Sequence, residues 1–283
     1  MTTETYDLKF LTPCFCAGAR QDQAEIRPSA IRGALRWWFR VLGGSLKDER
    51  EIFGSVHGES PMASKIIVRA RTGDNGGQED WSERIPKQGT DRAAYLLSFF
   101  CGRTRLQGGG ALAPGSTATV WITWQHTRPE LADFALRAFF SIGGVGFRAT
   151  RAAGSFASNK HPLKQKDWND LSAKLVAAGF NCALLPEPFG DWVELVNCAG
   201  SLLKHKLRSG SEGLGIGAGK DGTSPNALGS AEPRQASVVH FRAVQIDNCL
   251  RLALLEPPHD RILGAEATKA HENRGSILRL ARL

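Results

Sequence analysis

Between Tyr6 and Phe156 the chain alternates strand and helix patterns in an order few folds accept. Tyr6–Cys16 starts with apolar residues at every second position, Leu8 then Phe10, before a turn at Thr12-Pro13. Gly18–Pro28 reads as a polar loop, and Ser29–Leu42 as a helix with Ser29 as N-cap and Gly43-Gly44 as its stop. Ser64–Arg71 is a second strand. Pro114-Gly115 makes a turn into a third, Thr117–Trp124, with Ala118, Val120, Ile122 and Trp124 on one face. Pro129–Ile142 is a second helix, with Pro129 suited to its first turn, and a glycine loop then leads to another strand. Thr72–Thr90 has no apolar period and reads as a mobile excursion. Ala94–Cys101 is a short apolar run, and Gln107–Gly110 a flexible joint.

Strand, helix, strand, strand, helix, strand is the split βαβ pattern, so the expected class is α+β with a ferredoxin-like, RRM-like unit over residues 1–160. That architecture also underlies RNA-recognition modules, although fold alone assigns no function. Residues 161–283 read as a smaller, less regular α+β half. Trp168–Gly179 and Trp192–Arg208 look helical, and Ser209–Pro233 is a low-complexity Gly, Ala and Ser segment. Val238–Ile246 and Leu250–Leu255 alternate like two antiparallel strands around Asp247-Asn248. No internal repeat is evident.

A chain of 283 residues with 42% hydrophobic content can bury a core without metals or disulfides. No run of about 18 apolar residues marks a membrane span, and the N-terminus lacks a secretory pattern, so a cytoplasmic location is expected. The six cysteines, at 14, 16, 101, 182, 198 and 249, lack zinc-ligand or redox spacing and read as reduced core thiols. The net charge is +8 and arginine outnumbers lysine 24 to 12. Guanidinium pairs with phosphate through two parallel bonds and stacks on bases, which tilts the reading toward nucleic acid.

On a wheel of about 100° per residue, Ile31, Leu35, Trp37, Trp38, Phe39 and their apolar neighbours fill an arc of roughly 200°. Arg32, Arg36 and Arg40 share a sector of about 80°, beside Gly33. Arginines four apart repel mildly, and the helix holds no acid to relieve them. A phosphate backbone or a carboxylate of a neighbouring subunit would do so. A solvated charge stripe, with the tryptophans in the core, is the alternative. Gly143, Gly144 and Gly146 follow the second helix, and Arg148–Lys166 then carries five Lys or Arg with no acid. Glycine amides can approach a phosphate closely; a helix C-cap and tight turn is the other reading. Gly144-Val145-Gly146 lacks the third glycine of a dinucleotide fingerprint. Gly215–Lys220 only imitates a P-loop, since Leu214 and Asp221 stand where that motif needs Gly and Ser or Thr.

Ile26-Arg27-Pro28-Ser29-Ala30-Ile31-Arg32-Gly33-Ala34-Leu35-Arg36-Trp37-Trp38-Phe39-Arg40, followed by Glu51-Ile52-Phe53-Gly54-Ser55, resembles the signature of the RAMP superfamily. Within it, the chain is similar to the first-subunit family of the Cmr complex, the type III-B CRISPR effector. Ala113-Pro114-Gly115, the run Gly143–Phe156 and the late strand Arg234–Arg242 extend the likeness. Ala152-Ala153 stand where the family's glycine loop is often more basic. The resemblance implies a RAMP fold and a non-catalytic RNA-binding subunit near the guide 3′ end. Its implied partners are guide RNA, target RNA and other RAMP subunits, with no cofactor and no membrane. Its implied contacts are Arg27, Arg32, Arg36, Arg40, Gly143, Gly144, Gly146, Arg148 and Arg151. A metal-dependent RNA-cleaving role for Asp22, in the loop before the arginine helix, is the alternative. A purely structural adaptor is another. The seven histidines, at 57, 126, 161, 205, 240, 259 and 271, form no catalytic grouping, and Asp48-Glu49-Arg50-Glu51 reads as a solvated helix end.

Overall fold

The computed structural model describes residues 1–20, 23–56, 61–74, 96–97, 110–208, 228–230, 235–263 and 276–283. Most of the expected excursion at 72–90, most of the run at 94–101, Gln107 to Gly109, and the low-complexity segment up to Ala227 lie outside the described residues, as do Gln21 and Asp22.

The first strand pattern divides in two at Leu11-Thr12-Pro13. β1 spans Thr2–Phe10 and β2 spans Cys14–Phe15, which pairs with β4 (Ala111–Leu112). β3 (Ile66–Thr72), β5 (Thr117–Trp124) and β6 (Phe156–Ser158) join β1 in a four-stranded sheet of order β3-β5-β1-β6. Every neighbouring pair in it is antiparallel. Helices α1 (Pro28–Val41) and α3 (Glu130–Ile142) connect β1 to β3 and β5 to β6, and α2 (Leu46–Phe53) follows α1.

Strand alternation decides which sheet face is buried. Tyr6, Leu8 and Phe10 of β1 and Ala118, Val120, Ile122 and Trp124 of β5 are buried in the same cluster as Ile31, Leu35, Phe139 and Phe140 of the helices. Tyr6 stacks on Phe140, and Phe139 meets Phe156 edge-on. α1 begins one residue before the expected cap. Pro28 occupies the first turn, Arg27 is the N-cap, and no side chain caps the end, so Ser29 is not the cap. Proline's fixed φ and missing N–H suit that position.

After β6 come α4 (Gln165–Ala177), β7 (Asn181–Leu184), α5 (Trp192–Ser201) and a π-helical turn, Leu202–Arg208. Leu228–Ser230 and Gln235–Ser237 pair as β8 and β9. β10 (His240–Ile246) and β11 (Cys249–Glu256) form the expected hairpin, and β7 completes a three-stranded sheet of order β10-β11-β7. Asp247 and Asn248 turn it with φ of 48° and 64°, the conformation a two-residue hairpin demands. The last helix, α6, spans Ile277–Leu280.

The two sheets share packing. Trp168, Leu171, Leu175, Phe180, Val244 and Ile246 belong to the same cluster as the first sheet's core. Trp38 stacks on Phe180 and Trp37 on His240, so both tryptophans of α1 are spent inside the fold. Among the described residues no helix is long and apolar enough to cross a membrane.

Candidate nucleic-acid interface

The glycine loop lies along β2. The Val145 amide donates to the Gly154 carbonyl, the Phe147 amide to Phe15, and the Gly154 amide to Pro13. Backbone meets backbone here, which is what the glycines permit. A Cβ on Gly143 would stand 2.2 Å from the Phe139 carbonyl oxygen. Gly146 has φ of +86°, and its Cβ would lie 2.5 Å from the Phe15 oxygen. Gly144 bridges Ser155. The glycines therefore answer to close packing within the chain, and they lift Gly146, Phe147 and Arg148 to the loop tip. Phe147 is 49% exposed, and Arg148 holds a left-handed φ of 61°, a conformation a large side chain rarely adopts.

Arg151 goes the other way. It is buried, and it donates to the Ser237 hydroxyl and the Val239 carbonyl at 3.1 Å each and to the Leu228 carbonyl. Its fork faces the interior rather than a phosphate. Arg242 is buried beside it, donates to the carbonyls of Ala149 and Phe241, and burial holds its pKa down at about 10. Arg151 thus fastens the loop to β8, β9 and Val239, and Arg242 fastens it to β10. Ala152 and Ala153, less basic than the resembled motif, are fully buried.

The arginine stripe of α1 also divides. Arg36 Nε donates to Glu49 at 2.8 Å and its Nη2 to the Gly54 carbonyl at 2.6 Å; Arg40 lies 3.6 Å from the second Glu49 oxygen. Relief of the stripe was expected from a phosphate or another subunit. It comes instead from α2 of the same chain. Glu49 is buried, contrary to its reading as a solvated helix end. Ser45 caps α2 by accepting from the Asp48 amide, which fixes the helix that presents Glu49.

Arg32, one turn earlier, has no ion pair among the described residues, and its buried Nε has no hydrogen-bond partner. Arg27 is exposed at the N-terminus of α1, where the first turn holds no acid. The Cys16 thiol, just past β2, is shifted down, first by a hydrogen bond from the Cys14 thiol and in part by the charge of Arg27. The positive end of the α1 dipole carries Arg27 and Arg32, and the loop tip, bridged to β2 through Phe147 and Phe15, carries Phe147 and Arg148. Phe147 was not singled out in the sequence. The only signal for it was an aromatic residue directly after Gly146.

No group of three or more metal-ligating side chains occurs among the described residues, and Asp22 lies outside them.

The RAMP superfamily model matches residues 7–157, more than half of the chain. The chain belongs to the RAMP superfamily. Two curated RAMP relatives come from Pyrococcus furiosus. Cmr subunit Cmr1-2 is 27% identical over 175 residues, 53% of this chain and 91% of that protein. Cmr subunit Cmr1-1 is 30% identical over 173 residues, 54% of this chain but only 44% of the relative's length. Among solved structures, apo Cmr1 from Pyrococcus furiosus has a TM-score of 0.61 at 15% identity, covering 97% of each chain. A chain of the type III-B Cmr-beta complex bound to cognate target RNA has a TM-score of 0.53 at 13% identity, covering 99% of each. At such identity the structural likeness speaks to the RAMP fold alone.

Proposed function

We propose that this RAMP chain is a non-catalytic RNA-binding subunit of a type III-B CRISPR effector in the cytoplasm, serving antiviral defence. It grips guide RNA, target RNA or both near the guide 3′ end, beside other RAMP subunits. The likeness to Cmr subunits supports membership of the effector. The order β3-β5-β1-β6 with α1 and α3 on one face supports reading the first half as ferredoxin-like, with residues 161–283 as a second, smaller half.

The observation that carries RNA binding is a pair of basic elements, the N-terminal end of α1 and the loop tip beside β2. An uncapped helix N-terminus carries Arg27 and Arg32, and a raised loop tip carries Phe147 and Arg148. Cations and a helix N-terminus hold phosphate, and an exposed ring stacks on a base. Gly143, Gly144 and Gly146 shape that tip. Arg36, Arg40 and Arg151 serve the fold first, because each already holds a carboxylate or carbonyl.

The test is target-RNA binding by the assembled complex across salt concentrations. Arg32→Ala with Arg148→Ala should weaken binding and lower the salt slope by about two, one per lost phosphate contact. Unchanged binding and slope would remove this surface from the interface.

A further inference from the structure

The face of the first sheet turned away from α1 and α3 is not part of the surface around β2. In its middle stands Trp121 of β5, partly exposed, paired in register with Arg69 of β3 on one side and Thr5 of β1 on the other. Arg71, opposite Thr119, reaches over the Trp121 ring with its guanidinium carbon 5.9 Å from the centroid. Arg69 and Arg71 are exposed, and among the described residues no carboxylate pairs with either. Lys9 adds a third exposed cation to this face. The one carboxylate on this face among the described residues, Asp7, lies two strands from Arg71 and accepts hydrogen bonds from Thr119 and Asn159.

A solvated sheet face rich in threonine is ordinary for an antiparallel sheet. A ring bordered along β3 by two guanidiniums without a carboxylate partner among the described residues, one of them over the ring, is not. It offers a flat apolar platform with positive charge at its rim, and the hydroxyls of Thr5 and Thr119 beside it. The ligand that uses all three is flat, anionic and rich in hydrogen-bonding groups. We propose that this face is a second binding surface, for single-stranded RNA. Trp121 stacks a base, Arg69 and Arg71 hold the flanking phosphates, and the threonines reach the sugar. The choice of RNA rests on the RNA-binding reading above; the surface itself is separate from the one around β2.

The test uses the full chain with a labelled oligouridylate and an RNA duplex of equal length, at low and high salt. Trp121→Ala should weaken single-strand binding about ten-fold at every salt concentration, and Trp121→Phe should restore most of it. Arg69→Ala with Arg71→Ala should lower the salt slope by about 1.4 without loss of fold. 4-Thiouridine in the probe should crosslink to the peptide holding Trp121. Undiminished single-strand binding in both the Trp121→Ala and the double arginine variant would overturn the proposal. Loss of subunit assembly with RNA binding intact would overturn it too, in favour of a protein partner. The Arg32→Ala, Arg148→Ala variant, measured alongside, separates the surfaces. If it alone loses affinity, the β2 surface stands and this one falls; if only the sheet variants lose affinity, the reverse holds.

Discussion

At the N-terminal end of α1, Arg27 and Arg32 meet no carboxylate among the described residues, whereas at the C-terminal end Arg36 and Arg40 share the buried Glu49. The glycine loop repeats the division over a shorter span. Arg148 stands at the tip and Arg151, three residues on, is folded inward onto carbonyls. In both places a basic motif contains one part that builds the scaffold and one part that the scaffold presents. A count of arginines therefore overstates the charge available to RNA, and the two parts should respond differently to substitution.

The largest difference should appear at Arg151. Arg151→Ala leaves the carbonyls of Val239 and Leu228 and the Ser237 hydroxyl buried without their donor, and should destabilise the chain by about 3 kcal/mol. Urea denaturation measures it. Arg148→Ala, at a half-buried residue of the loop tip, should cost less stability than Arg151→Ala while changing RNA affinity. Equal destabilisation at both positions would erase the contrast within the loop.

Glu49→Gln tests the contrast within the helix. The pair is half-screened on the arginine side, so the cost should be about 1 kcal/mol. Freed of their carboxylate, Arg36 and Arg40 should become available, and the salt slope for RNA binding should steepen by up to about two. A slope unchanged by Glu49→Gln would mean that the C-terminal end of the stripe faces no RNA even when uncompensated.

Much of this was legible in the sequence, for a physical reason. Long alternating strands and the wide apolar arc of α1 announce themselves because one face of each is buried. Asp247-Asn248 announces its turn because few residues tolerate positive φ. β7 was not legible, since all of its residues are only half-buried and no period survives. At α2 the charged run Asp48 to Glu51 reads as a solvated helix end because nothing local shows that Glu49 is buried against Arg36. Arg148 and Arg151 look alike in sequence. What separates them is the backbone reversal at the loop tip and the position of Val239, a residue 88 positions away.

A third contrast is set by pH. His240, stacked on Trp37, is held well below its ordinary value of 6.5 by burial, and Arg242 and Arg151 add repulsion. Its Nε2–H donates to the Ser237 carbonyl, which leaves Nδ1 as acceptor toward Arg242. Below about pH 6.5 the unfolded chain binds a proton here that the folded chain refuses, so stability is fully present above that pH and falls as pH drops. The melting temperature should decline between about pH 7 and 5, and His240→Phe should flatten the decline. A variant with the parental slope would mean that other groups set it.

The smallest effect bears most directly on what α1 faces. Gly33 sits in the middle of the helix, exposed, and a Cβ there would meet nothing within 4 Å. Glycine at such a site costs about 0.8–1 kcal/mol relative to alanine, and no described neighbour requires it. Gly33→Ala should therefore stabilise the isolated chain by about 0.5–1 kcal/mol. If a phosphate backbone or another subunit approaches between Arg32 and Arg36, the same methyl group should weaken assembly or target-RNA binding. Stabilisation with unchanged binding would show that nothing comes close to the helix there, and would confine the contact to Arg27, Arg32 and the loop tip.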